Sequence, residues 1–179
     1  METPEAGQNI ITRGLPKTSQ TVLYQAGDDG DYEAGWWKGR LNANNRTRFI
    51  AKTIGGDDIV LDRATGLMWA ADGNAAGCNN GAVITWANAI IYAEALTFAT
   101  FSDWRVPNIK ELGSIVDYSR LNPSVNVVFF SNTQNFRYCS STTYIGLVTA
   151  IWYVMFSNGN MYPDPKTDEY YLRCVRKGL

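Results

Sequence analysis

The chain has 179 residues, of which 45% are apolar, 18% charged and 13% aromatic, with a formal net charge of −1. That length and composition predict one globular domain with a buried core, and the near-zero charge argues against nucleic acid as a partner. Histidine is absent, which excludes Ser-His and Cys-His nucleophiles, histidine-ligated metals and the usual near-neutral proton shuttle.

The first residues, Met1-Glu2-Thr3-Pro4-Glu5, carry acid and proline instead of a basic start followed by an apolar stretch. No secretory signal is therefore expected. No apolar run reaches the ~18 residues of a membrane span, so no membrane insertion is expected either. Residues 1–13 are expected to form a loose polar tail and residues 14–179 a single domain. Gly27-Asp28-Asp29-Gly30-Asp31 reads as a turn, because Gly and Asp supply unusual dihedrals and local side-chain bonds. A calcium loop would need more ligands and a terminal bidentate glutamate. The segment from Trp36 to Lys52 holds Lys38, Arg40, Arg46, Arg48 and Lys52 with no acid among them. It is a candidate site for sulfated or phosphorylated polymers, with Trp36 and Trp37 to stack on sugar rings, or else a solvated loop.

Three strands are expected next, at Arg48–Lys52, Asp58–Asp62 and Leu67–Ala70, punctuated by Gly55-Gly56 and Ala64-Thr65-Gly66. A helix follows from about Thr85 to Leu96, with Trp86, Ile90, Ala93 and Leu96 on one stripe. A second begins at Asn108, where Glu111 three residues on makes a capping box, and Ile109, Leu112, Ile115 and Val116 form its apolar face. Ala150–Phe156 is a strand, Ser157-Asn158-Gly159-Asn160 a hairpin turn, and Tyr170–Val175 the closing strand. Strands, two helices, then strands predict an α+β fold on mixed or antiparallel sheets.

Catalysis finds little support. Glu94 and Glu111 fall on separate helices and read as surface charges. Cys139-Ser140-Ser141-Thr142-Thr143 offers nucleophiles without a base. No zinc spacing exists, and Cys78, Cys139 and Cys174 fit one disulfide plus a free thiol or three free thiols. No metal and no cofactor are expected. A binding surface fares better. Tyr138, Tyr144, Tyr153, Tyr162, Tyr170 and Tyr171 lie among Ser, Thr, Asn and Gly near the end of the chain, a mixture like that of antibody paratopes. Tyrosine also suits half-buried strands.

Four stretches together resemble one family: Gly14–Thr18 with Gly27–Asp31; Ala64-Thr65-Gly66-Leu67-Met68-Trp69; Ser102 to Leu112; and Ser140–Tyr144 through Trp152, Gly159 and Lys166 to Arg176. They are similar to the domain at the C-terminus of Legionella collagen-like adhesins. The resemblance implies a C-type lectin-like fold, two helices on a central antiparallel sheet with an irregular, loop-rich ligand face, on a scaffold that includes Trp69, Trp86 and Trp104. It implies function by binding a protein or glycan on a host or target cell surface. It also implies kinship with the variable proteins of diversity-generating retroelements, which retarget receptor-binding proteins of phages and archaeal viruses by mutating adenines, often in AAC-type codons. Tyr144 joins the implied variable surface with Ile145, Leu147, Val148, Thr149, Ile151, Tyr153, Asn158, Asn160, Tyr162, Asp164 and Asp168. Between the fixed-looking motifs, the residue types from Ile145 onward are all reachable from AAC by adenine changes alone. Trp152, Met155, Met161 and Lys166 are not, and would be fixed positions. Cys139 departs from the family pattern, which has Trp there. Together with the missing secretory signal, the expectation is a virion or cell-surface component that contacts other virion proteins.

Overall fold

A computed structural model of the protein describes residues 15–32 and 48–178. The expected tail and the basic residues Lys38, Arg40 and Arg46 lie outside the described residues. A short helix α1 (Asp29–Tyr32) precedes three strands, β1 (Phe49–Ile54), β2 (Asp57–Asp62) and β3 (Leu67–Ala70). Gly55 and Gly56 alone join β1 to β2, with φ of 62° and 94°, the left-handed pair that a two-residue hairpin demands.

A 3-10 helix (Ala76–Gly81) and a short strand β4 (Ile84–Thr85) lead into α2 (Trp86–Ala95). Helix α3 (Ile109–Ser114) starts as its sequence predicts. The Asn108 side chain accepts the Glu111 N–H while the Glu111 carboxylate accepts the Asn108 N–H, both at 2.9 Å, so two orphan donors are satisfied reciprocally. Four further strands matter for the site and the close of the chain: β5 (Arg137–Thr143), β6 (Ala150–Met155), β7 (Asn160–Pro165) and β8 (Glu169–Tyr170); β9 (Val175–Lys177) ends the fold.

The sheets are antiparallel throughout: β1-β2-β3-β9, β4-β8 and β5-β6-β7. The fold is α+β with few helices. Alternation along β2 and β3 explains the core. Ile59, Met68 and Ala70 enter one apolar cluster with Ala89 and Ala93 of α2, while Val60 and Trp69 enter a second with Leu112 of α3. A sheet covered on both faces needs such continuous apolar runs. Trp104, in the first cluster, donates its indole N–H to the Phe98 carbonyl at 2.8 Å and meets the Phe98 ring edge-on. A buried fork joins Arg48 to Asp62 at 2.9 and 2.7 Å, and Arg48 also donates to the Ser114 carbonyl at 2.7 Å.

One expectation needs correction. The Tyr170–Val175 strand is interrupted: β8 pairs with β4, β9 pairs with β3, and residues 171–174 cross between sheets. The cause is Arg173, which is buried and donates to the Ala70 and Ala71 carbonyls at 2.5 and 2.7 Å and to the Thr133 hydroxyl at 2.8 Å. The strand beyond the expected hairpin turn is Asn160–Pro165, which forms despite Pro163 and Pro165. It lies at a sheet edge, where a residue without an N–H leaves no ladder bond unmade.

Candidate functional site

The hairpin β5–β6 carries the expected variable surface at its tip. The register pairs Arg137 with Met155, Cys139 with Tyr153 and Thr143 with Ile151, with an irregularity between Cys139 and Thr143. The loop is tied through its backbone. Tyr144 N–H donates to the Ala150 carbonyl at 2.9 Å, Leu147 N–H to Tyr144 at 3.1 Å and Ala150 N–H to Leu147 at 2.9 Å. Lys166 N–H, at the end of the neighbouring hairpin, donates to the Thr149 carbonyl at 2.8 Å. Main-chain bonds thus hold the loop while its side chains face outward: Ile145 is 89% exposed, Leu147 55% and Val148 65%. Thr149 is exposed beside them.

Tyr144 anchors this loop. Its ring meets Trp152 edge-on at 5.2 Å, and a Cβ on Gly146 would come within 2.6 Å of the Tyr144 ring. A side chain at 146 would therefore push the Tyr144 ring out of its present place. Below it, Trp86 donates its indole N–H to the Ser140 carbonyl at 3.0 Å, and the Lys166 ammonium lies 4.3 Å from the centre of the Trp86 ring.

The β7 hairpin is tied differently. Met161 packs its methyl group against α3 where Gly113 leaves room; a Cβ there would sit 2.1 Å from it. Gly159, at φ 79°, closes the turn after Asn158, whose side chain accepts the Asn160 N–H at 3.0 Å. Tyr162 is 41% exposed and accepts a bond from Asn160 at 2.9 Å. Asp164 and Asp168 both receive Arg137, which also donates to the Glu169 carbonyl at 3.0 Å. Burial disfavours the Arg137 charge, but hydrogen bonds to the two carboxylates outweigh it and raise its pKa.

Of the expected surface residues, Ile145, Leu147, Val148, Thr149, Asn158, Asn160 and Tyr162 are exposed. Ile151 and Tyr153 are corrected to core: they are 0% and 8% exposed. Two residues apart on β6, they share one face of the strand, and that face packs in the apolar cluster with Ala89 and Ala93 of α2 and with Tyr170. Asp164 and Asp168 are half-buried partners of Arg137. The paratope-like tyrosines divide the same way. Tyr138 and Tyr170 are buried, and Tyr170 donates its hydroxyl to the Pro165 carbonyl at 2.6 Å. The four positions expected to be fixed have packing roles: Trp152 against Tyr144, Met155 at the edge of the core, Met161 on Gly113 and Lys166 over Trp86. Arg137 and Gly113 escaped the sequence reading because the partners of one are remote and the role of the other is an absence of side chain.

The remaining candidates find other employment. Arg48 leaves the basic segment for its buried pair with Asp62. Glu111 takes a two-pronged bond from Arg105 at 2.7 and 2.8 Å, while Glu94 stands exposed on α2. Burial pushes the Cys139 thiol up to about 12, which removes it as a nucleophile at neutral pH. In the acidic turn, Asp28 accepts the N–H groups of Tyr24, Gln25 and Asp31. These bonds, with Tyr24 foremost, hold its carboxyl below the usual range, so the turn's own backbone occupies the oxygens a cation would need.

A family model described as the Lcl C-terminal domain matches residues 58–176. The chain belongs to this family. The match begins in β2 and takes in α2, α3, the β5–β6 loop and all but the last residue of β9. Three of the four resembling stretches fall inside it, and Gly14–Asp31 falls outside. Membership makes this an adhesin-like ligand-binding domain. A comparison with curated proteins gave no match.

Proposed function

We propose that this Lcl C-terminal domain is a non-catalytic recognition domain of C-type lectin-like fold whose β5–β6 loop contacts a protein on a target cell surface. One observation carries the reading: three aliphatic side chains, Ile145, Leu147 and Val148, face outward on a loop fixed by its own backbone. Fixing the loop beforehand lowers the ordering cost of binding. Aliphatic contacts suit an apolar patch on a protein better than a hydroxylated glycan. The finer reading is a retroelement-diversified variable protein on a virion or cell surface. It is supported by the exposure of Ile145, Leu147, Val148 and Tyr162, which adenine mutation can reach, and it is confined to those loop positions because Ile151 and Tyr153, equally reachable, are buried.

Two measurements test these levels separately. Binding to a panel of intact cells should fall at least tenfold in the combined variant Ile145→Ser, Leu147→Ser, Val148→Ser and change little between low and high salt. Binding that survives the substitutions but collapses in salt would favour anionic glycans held by the basic segment. For the retroelement, the flanking DNA should hold a reverse transcriptase and an adenine-rich near-copy of the codons for the β5–β7 region. A locus without either contradicts diversification and leaves the recognition loop standing.

A further inference from the structure

We propose that Cys78 and Cys174 form a disulfide when the chain folds in an oxidising environment, leaving Cys139 as the free thiol. In the structure all three cysteines are reduced and buried, and all three enter one apolar cluster. Their backbones are not equally placed. Cys174 N–H donates to the Gly77 carbonyl at 2.9 Å, and Cys78 is the next residue after Gly77. Standard peptide dimensions then hold the two Cα atoms within ~6.6 Å of each other. Disulfides bridge Cα separations of ~4.4–6.8 Å.

Cys139 is held against a different residue. Its N–H donates to the Tyr171 carbonyl at 3.1 Å, so the same reasoning sets its Cα beside Leu172. Leu172 is two positions short of Cys174 along a crossing segment. Burial drives the Cys174 thiol upward, and among its neighbours Cys78 adds to that more than Cys139 does, in keeping with this order of proximity.

Buried, protonated thiols react slowly, so the bond forms during folding, before the core closes. One cysteine thiolate attacks a small disulfide such as oxidised glutathione, displacing one glutathione thiolate and leaving a mixed disulfide. The second cysteine thiolate then displaces the other glutathione. Two protein thiols are oxidised, one glutathione disulfide is reduced to two thiols, and the two protein protons end on those thiols. The product ties the 3-10 helix to the segment entering β9. It closes a ring around both α2 and α3 and the whole β5–β7 sheet. Such a covalent closure suits a recognition domain that works outside the reducing cytoplasm.

The test refolds the full chain from its reduced, denatured state in a buffer of reduced and oxidised glutathione, then alkylates free thiols in denaturant and maps tryptic peptides. Cleavage places Cys78 in residues 64–105, Cys139 in 138–166 and Cys174 in 174–176. The expected result is a crosslink between the first and last of these peptides and one alkylated cysteine, Cys139. The melting midpoint should rise by at least ~5 °C over the reduced protein. Three alkylated or glutathione-capped cysteines, or a crosslink that carries Cys139, would overturn the assignment.

Discussion

The β5–β6 loop and the β7 hairpin look alike in sequence, since both mix Tyr, Asn, Asp and aliphatic residues, yet the structure uses them in opposite ways. The loop from Tyr144 to Thr149 is held by main-chain bonds and by Tyr144 alone among its side chains. In the β7 hairpin side chains add to the backbone ladder with β6, through Met161 on Gly113, Asp164 and Asp168 on Arg137, and Lys166 over Trp86. Exposure and independence are therefore separate properties. A half-exposed carboxylate can still be a strut, and only a loop whose backbone closes on itself is free to change its chemistry.

The strand shared by both hairpins offers the harshest way to break this comparison. Ile151→Ala empties a fully buried site and should cost ~2–5 kcal/mol in urea denaturation. A loss below ~1 kcal/mol would mean that β6 tolerates the variation expected of a display surface. Next in size is Arg137→Ala, which leaves Asp164 and Asp168 without their shared cation. The pair is part-exposed, so the loss should be about 1 kcal/mol and should shrink as salt rises. An equal loss at all salt concentrations would assign Arg137 to packing instead.

A smaller effect belongs to the helix behind the β7 hairpin. Burial raises the Glu111 pKa, but the Arg105 fork and the Asn108 N–H outweigh it, and the carboxyl is held below 4.5. Its contribution to stability is therefore complete above pH 4.5 and is lost as pH falls through the lower folded value. Glu111→Gln should flatten that part of the stability profile between pH 5 and 2 as measured by thermal melts. An unchanged acid limb would remove Glu111 from the account.

What could be seen in the sequence follows the range of the interactions. The Asn108 and Glu111 capping box, the Gly55-Gly56 turn and the bounds of β3 rest on residues a few positions apart, and each was found where it was expected. The break at residues 171–174 was hidden because Arg173 seeks carbonyls about a hundred positions away. Strand β7 was implied by the Asn158-Gly159 turn, though the edge position that makes its prolines acceptable is defined only by the assembled sheet. Ile151 and Tyr153 were misplaced because the cluster that covers their face of β6, with Ala89 and Ala93 of α2, is remote in sequence. Within the site, exposure at Ile145, Leu147 and Val148 was foreseen correctly. The Arg137 clamp was not, since nothing local links Arg137 to Asp164 and Asp168.

The smallest expected effect is also the most direct check on whether the loop stands apart from the frame. The urea midpoint of the combined variant Ile145→Ser, Leu147→Ser, Val148→Ser should stay within ~0.5 kcal/mol of the parent, as substitutions that touch no packed neighbour do. A loss of ~3 kcal/mol or more would reveal those side chains as part of the core and contradict the assignment of this loop to recognition.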